Sequence, residues 1–387
     1  MEGEKMNRRM FIQKGLAAGA AAVGSGIILQ SCSRNPRQMT MGSDDSTPVK
    51  GLNHEGRQIL YYASLAPSGH NSQPWGVRLE SEAQWVIESD SDRWLPVVDP
   101  DNREVLLSLG AFLENLVTAA EVYGYRAHVS VIARTRFDRD VVRVCLESMG
   151  TGRQTFTQRR DLRQKKVRMG MRRTVKSHLL SRELKSPDLV CFEKQAGSLY
   201  YFPRSSPHTR IFQEQAVENF RIQSENDRAQ EEMSLWLRLR ESAIEKYRDG
   251  LTVAGMEISG LSGWYVKHVM SPMDAKGETF RQKGIEKTAA QAKEGGGWLV
   301  ITSEGESVAD LIEAGRRFQR VALVARELGI GIHPMTQTLE EMNGREKVRK
   351  HHHAGMNPQF MLRLGYVQDY PDPVTPRRPV GWFVRSS

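Results

Sequence analysis

The decapeptide Ala66-Pro67-Ser68-Gly69-His70-Asn71-Ser72-Gln73-Pro74-Trp75 concentrates groups that can do chemistry. Its two prolines stop the preceding helix, and Ser, Gly, Asn and Gln leave short donors on an open backbone, so the loop can lie close against a flat polar ligand. An ordinary proline-rich turn is the plainer alternative, and His70 can contact such a ligand or simply hold the turn. A second concentration is electrostatic. Between Arg153 and Lys176 ten basic residues stand against one acid, Asp161, while the whole chain has 55 Lys and Arg against 46 Asp and Glu. One segment therefore carries the entire formal surplus of +9. A nucleic-acid binder spreads its basic surface over a fold, so no nucleic-acid partner is expected. The segment reads as an anion site, with a solvated helix face and a patch resting on anionic lipid as the other readings. His351-His352-His353 cannot all turn to one ion from a helix, and no Cys or carboxylate cluster accompanies them, so no metal is expected. No dedicated acid or base stands out, and no catalytic residue is assigned.

These residues need a scaffold. At roughly 100–200 residues per domain, 387 residues suggest two globular units. A hydrophobic fraction of 39% with 26% charged residues supports a packed core. The longest apolar run, Gly15 to Gln30, falls short of the roughly 20 residues of a spanning helix, which excludes a multi-span membrane protein. Two segments share a pattern 205 residues apart: Ser108 to His128 and Glu313 to His333 align Gly110 with Gly315, Ala120 with Ala325, Gly124 with Gly329 and His128 with His333. Both have apolar residues at helical spacing and a closing glycine suited to a left-handed C-cap before a strand. They read as core helices of two related halves. Elsewhere the pattern predicts a helix over Glu55 to Ala66 and strands near Gly76–Leu79, Gln84–Glu88, Trp298–Thr302 and Phe360–Tyr366. A long amphipathic stretch from Pro207 to Arg248 is broken near Asp227. The class is α+β.

The amino terminus reads as an address. Asn-Arg-Arg-Met-Phe-Ile-Gln-Lys at 7–14, followed by a weakly hydrophobic Ala/Gly run, resembles a twin-arginine export signal. Leu29-Gln30-Ser31-Cys32 resembles a bacterial lipobox, with Cys32 as the lipidated residue. The expected organisation is a signal over 1–32, a polar tether over 33–54, a first half over 55–150, a basic connector over 151–177, and a second half over 178–387 with a helical insertion at 207–273. The mature protein would begin at Cys32, exported and held by its lipid at the periplasmic face of a membrane. Cys145, in the alternating run Val141 to Leu146, reads as a buried strand thiol, and nothing in the sequence supports a disulfide with Cys191.

The Asn71-Ser72-Gln73-Pro74-Trp75 loop resembles the Ser-x-x-Asn-Ser-Gln-Pro-Trp motif of the nitroreductase family, closest to its Acg-like FMN-binding branch. The resemblance continues in order through Asp99-Pro100, Arg103-Glu104, Arg172-Arg173-Thr174, Glu232 to Trp236, Ala314-Gly315 to Gly331, His333 to Gln337, Arg363 to Tyr366 and Pro376 to Pro379. In that family FMN lies across a homodimer interface. Its Arg-x-Ser-x-Lys/Arg phosphate motif matches Arg172, Thr174 and Lys176, beside Arg173, and its C-terminal basic pair matches Arg377 and Arg378. The loop normally lent by the partner subunit matches Pro67, Ser68, Gly69 and Asn71. Met335 and Thr336, in the Pro334 to Gln337 segment, stand where the family runs along the flavin near its reactive N5. The half-sites are complementary: the phosphate motif occurs only in the second half and the loop only in the first. The resemblance therefore implies an internal pseudo-dimer with one composite FMN site per chain.

Arginines suit this role because a phosphate needs fixed, forked donors. The family chemistry is hydride transfer to flavin and on to a small acceptor, quinone- or nitroaromatic-like. Export removes the protein from cytoplasmic NADH and NADPH, so a membrane quinol or a redox-protein donor is expected. A flavin-binding or sequestering protein with little turnover is the alternative, with the insertion covering the pocket.

Overall fold

The computed structural model describes residues 35–40, 48–150, 155–197, 199–352 and 357–387. The signal segment with Cys32 lies outside them, as does His353. The helices are α1 (Pro36–Thr40), α2 (His54–Ser64), α3 (Arg103–Val122), α4 (Phe156–Met171), α5 (Ser186–Ala196), α6 (Pro207–Glu225), α7 (Asp227–Leu235), α8 (Glu241–Tyr247), α9 (Gly260–His268), α10 (Glu278–Ala292), α11 (Val308–Glu327), α12 (Gln337–Glu340) and α13 (Met342–His352). The strands are β1 (Trp75–Leu79), β2 (Gln84–Ser89), β3 (Tyr125–Val131), β4 (Asp140–Ser148), β5 (Leu199–Pro203), β6 (Leu237–Arg238), β7 (Leu251–Thr252), β8 (Gly297–Ser303), β9 (Ile330–Pro334), β10 (Asn357–Tyr366) and β11 (Val384–Ser386).

Local chemistry sets several of these boundaries. The Asn53 side chain accepts the Gly56 N–H and starts α2, while Thr155 with Gln158 and Ser307 with Asp310 form capping boxes on α4 and α11. Asp99 accepts the Val105 N–H at 3.0 Å and so closes the first turn of α3. The long amphipathic stretch breaks at Asn226, which ends α6 and caps α7 through the N–H groups of Arg228 and Ala229.

Two sheets use one plan. The first has order β11-β1-β2-β4-β3 and the second β5-β8-β10-β9. Helix, two strands, helix, two strands is the chain order in both: α2, β1, β2, α3, β3, β4, then α5, β5, β8, α11, β9, β10. The pairings within each set are antiparallel. The first sheet gains β11, which runs from the end of the second set and pairs parallel to β1. Where β1 and β2 are joined by a short turn, β5 and β8 are separated by 204–296, which holds α6 to α10.

The repeated helices are the contact between the sets. Gly110 and Gly315 meet where α3 crosses α11: a Cβ on Gly110 would lie 2.2 Å from the Ile312 carbonyl oxygen, and one on Gly315 2.1 Å from that of Leu107. Beside the crossing, Glu114 accepts from Arg316 Nε and Arg320 Nη1, both at 2.9 Å, and Gln319 donates to Asn115 at 2.8 Å in a fully buried pair. Gly124 and Gly329 both take positive φ after their helices, as the left-handed cap requires. Helix α3 is long and apolar enough to cross a membrane, yet it is mostly buried in the shared core.

One sequence expectation is corrected. Cys145 is exposed, not a buried strand thiol, and it is a free thiol, as is Cys191. Val141, Val142, Val144 and Leu146 take the core face, and strand alternation turns Arg143 and Cys145 outward. His128, aligned with the half-buried His333, stands opposite Cys145 on the same exposed face and pairs with Glu147. Within the stretch expected as a tether, Pro36–Thr40 is helical and Arg37 is buried.

Candidate functional site

The loop after α2 is held in an unusual backbone. His70, Asn71 and Gln73 all take φ near +50° (48°, 53° and 55°), a region that side chains other than glycine enter at a cost. Side chains over-determine it. Ser68 Oγ accepts the Gln73 N–H at 2.9 Å. Gln73 donates to the Arg248 carbonyl and accepts the Arg378 N–H, while Arg378 Nη2 donates to the carbonyls of Gln73 (2.6 Å) and Trp75 (2.8 Å). Asn71 donates to the carbonyls of Gly250 and Pro376 and accepts from Arg377 Nη1 at 2.8 Å. The C-terminal pair Arg377-Arg378 thus clamps the loop of the first set directly, and the inserted stretch closes over it at Arg248 and Gly250.

Beneath this clamp three arginines converge. Arg377 Nη2 donates to the carbonyls of Leu65 (3.2 Å) and Ala66 (3.0 Å), and Arg172 Nη2 approaches the same Leu65 carbonyl at 3.4 Å. Arg37, buried on α1, adds its charge to both. Desolvation first, then this mutual repulsion, pushes Arg172 down to about 10 and holds Arg377 well below its ordinary value. No carboxylate pairs with Arg172 or Arg377 among the described residues, and the Nε of each is buried without a hydrogen-bond partner there. Guanidinium stays charged near neutrality, so the cluster is cationic, and the Nε groups of Arg172 and Arg377 are unsatisfied. An anion with several acceptor oxygens relieves both defects.

The segment after Arg172 runs beside β9, where the Val175 N–H donates to the Ile332 carbonyl. Thr174 lines a cleft of about 10 Å³ with Arg172, Arg173 and Tyr370, room for about one water. Arg173 and the Lys176 N–H both donate to Glu257 Oε1, at 3.0 and 3.1 Å, and Lys287 donates to the Met256 and Glu257 carbonyls. An acid of the inserted stretch therefore sits on this basic segment. Lys176 also faces His70 and His333. Burial first, then the Lys176 charge, pushes His70 down to about 4. Burial and Arg363 hold His333 well below its usual range, and its Nδ1 lies 3.0 Å from Arg363 Nη2. Both rings are neutral at pH 7.

The structure thus joins Asn71 to Arg377 through a direct bond, Ser68 to Arg378 by way of Gln73, and Arg172 to Arg377 through a shared carbonyl, with Pro67 and Gly69 carried in the same loop. Arg173 and Lys176 meet at Glu257. Met335 goes elsewhere: its side chain is buried with Phe212, Trp298 and Met361 under α6, and its N–H donates to the Met361 carbonyl. Thr336 caps α12 through its carbonyl, which accepts from Leu339 and Glu340. Arg37, Glu257 and Lys287 are additions that sequence reasoning missed. Arg37 and Glu257 lie in a tether-like stretch and an irregular turn, where no periodicity marks a residue as facing inward. His333 and Arg363 lay inside matched motifs and were legible there.

A second cluster lies next to Thr336. Glu340, at the end of α12, accepts from Gln223 at 2.6 Å, and Glu104 pairs with Arg103 at 2.5 Å. Desolvation pushes Glu104 up to about 7 and Glu340 up to about 8, the Glu104 charge adding to the latter. An acid whose folded pKa is raised holds its proton more tightly folded than unfolded, so it lowers stability as pH climbs from the ordinary carboxyl range to about 8. Thermal melts across that range should show a declining midpoint, and Glu340→Gln should flatten the decline; an identical slope in the variant would remove this pair as its source.

No family model matches the chain. Two relatives from strains of Mycobacterium tuberculosis, each named "Putative NAD(P)H nitroreductase", are 25% identical over 337 residues, covering 85% of this chain and 90% of theirs. Among solved structures, a nitroreductase-like family protein from Bacillus cereus aligns at 11% identity and TM-score 0.33 over 56% of this chain and 91% of its own. A structure from Anabaena variabilis, titled as a nitroreductase, aligns at 10% identity and TM-score 0.39 over 86% and 91%. The similarity to the two mycobacterial relatives, each named as a nitroreductase, runs over most of both chains.

Proposed function

We propose that this protein is an FMN-dependent oxidoreductase of nitroreductase-like fold, its two halves acting as an internal pseudo-dimer with one composite flavin site. One observation carries the reading: Arg172 and Arg377 are buried and charged, with no carboxylate on either among the described residues, against carbonyls lent by the first half, and Arg37 lies near both. The buried Nε groups of Arg172 and Arg377 fit a phosphate. Arg172 and Arg377 would hold that phosphate; Lys176, Thr174 and Thr336 of the second half, with Pro67, Ser68, Gly69 and Asn71 of the first, would flank the ring. Bound flavin supplies hydride chemistry toward a small quinone- or nitroaromatic-like acceptor. The chain positions and shields: Arg378 and Gln73 lock the loop, the neutral His70 and His333 leave Lys176 as the charge between them, and the turn from Gly250 to Glu257 keeps water off the basic segment.

The amino-terminal motifs support export and a lipid anchor at Cys32, which makes a membrane quinol or a redox protein the proposed donor. Anaerobic mixing of the flavoprotein with NADPH tests this, because rapid bleaching at rates of a working reductase would overturn it. The sequestering reading is favoured by one feature, the seating of Glu257 on Arg173 and Lys176. An anionic ligand at that segment competes with this carboxylate, so Glu257→Gln should tighten FMN binding several-fold in a fluorescence-quenching titration. Unchanged affinity would make Glu257 a structural contact alone. Ready quinone turnover by the intact flavoprotein would dismiss sequestration.

A further inference from the structure

Helix α9 is apolar on both sides. One side, Gly263 and Val266 with the following Met270, faces the small core formed with Leu237, Leu239 and Ala275. The other side presents Leu261, Trp264, Tyr265 and Val269, which are 60%, 55%, 39% and 49% exposed, with Met273 beyond them at 62%. Residues 261, 264, 265, 268 and 269 follow helical spacing, so these side chains form one stripe along a helix of roughly 13 Å. His268 stands in the same stripe, its ring 5.4 Å from that of Trp264. Single exposed apolar residues need no explanation, but a contiguous stripe marks an interaction surface.

We infer that this stripe is a docking surface for a phospholipid leaflet. Between Glu257 and Asp274 there is no acidic residue, while Lys267 and His268 lie in the last turn of α9. Glu241 of α8, at the edge of the stripe, is paired with Lys267 at 2.6 Å, and Arg240 donates to the His268 carbonyl beside it, so the apolar face is flanked by no uncompensated acid there, which suits chains below anionic or zwitterionic headgroups. Trp and Tyr beside Leu and Val match the depth at which amphipathic aromatics settle. Size argues in the same direction. Five side chains at about half exposure offer on the order of 500 Å², short of the roughly 800 Å² per partner of a stable dimer but ample for shallow insertion. The docking does not depend on flavin or on Cys32; it sets which face of the insertion meets the membrane.

Trp264 is the most exposed tryptophan among the described residues, so its emission reports the contact directly. The full-length chain is mixed with vesicles of phosphatidylglycerol and phosphatidylcholine carrying brominated acyl chains, and quenching is compared with the Trp264→Phe variant, which keeps the stripe apolar. The expected result is that the quenched emission is the part lost in Trp264→Phe, and that Leu261→Glu with Val269→Glu removes the quenching. Both glutamates replace exposed side chains, and an unchanged circular dichroism spectrum confirms the fold. Vesicle-bound protein whose Trp264 is not quenched would overturn the inference, showing that another surface holds it. So would a concentration-dependent dimer in sedimentation velocity that the two glutamates abolish, since a second copy would then cover the stripe.

Discussion

Arg172→Ala and Arg377→Ala each lower the affinity for FMN by roughly 10- to 100-fold, the expected cost of removing a charge-assisted contact of about 1.5–3 kcal/mol from a buried site. The two effects are coupled, because both guanidiniums approach the Leu65 carbonyl and each raises the cost of burying the other. Removing one relieves repulsion on the survivor, so the double variant loses less than the sum of the singles. Inorganic phosphate should bind the apoprotein weakly and compete with FMN, and that competition should vanish in the double variant. Lysine at either position restores charge without the fork, so it rescues only in part. Arg378→Ala differs in kind: its donors go to the Gln73 and Trp75 carbonyls, so its loss loosens the loop and lowers stability with affinity. Equilibrium titration of flavin fluorescence reads all of these. FMN binding unaffected by either alanine would remove the phosphate assignment.

Gly315→Ala and Gly110→Ala are the substitutions with the largest expected effect on stability, about 3 kcal/mol or more each. A methyl group at Gly315 would lie 2.1 Å from the Leu107 carbonyl oxygen, and one at Gly110 would lie 2.2 Å from that of Ile312. Both obstacles are helix backbone, not movable side-chain tips, so the helices must separate, and overpacking in a tight core already costs about 1–3 kcal/mol. Separation also stretches the buried Gln319–Asn115 bond and the Glu114 pairs beside it. Urea unfolding followed by tryptophan emission should show a lower midpoint at unchanged slope. Because Phe318, one turn beyond Gly315 on α11, lines the same cleft as Arg172 and Thr174, these variants should also weaken FMN binding. A midpoint within a few tenths of a kcal/mol of the parent would mean that the crossing is looser than described.

Much of the scaffold was legible because its signals are local. Helical spacing and a closing glycine marked α3 and α11, and the aligned Gly110 and Gly315 proved to touch each other. The proline-bounded loop and the end of the basic run drew attention to segments that the structure brings together, for a reason that a single sequence contains: short polar groups and local excess of charge. Cys145 was misread because apolar neighbours on a strand say which face is buried only once the register is known, and the core face begins at Val141 and Val142 before alternation resumes. Met335 stood in the matched segment, yet its thioether fills a gap under α6, where a flexible apolar side chain packs well.

The sequence by itself determined the α+β class, the two like-patterned helices that meet at Gly110 and Gly315, and which residue types were available to meet an anion. Those follow from periodicity, composition and short-range motifs, each of which acts over a few residues. Only the tertiary structure decided that Arg37 joins Arg172 and Arg377, that Asn71 spends its amide on Gly250, Pro376 and Arg377, and that Glu257 rests on Arg173 and Lys176. These partners lie tens to hundreds of residues apart. Burial and charge act through space, so which of them meet is settled by how the helices cross and where the inserted stretch folds back.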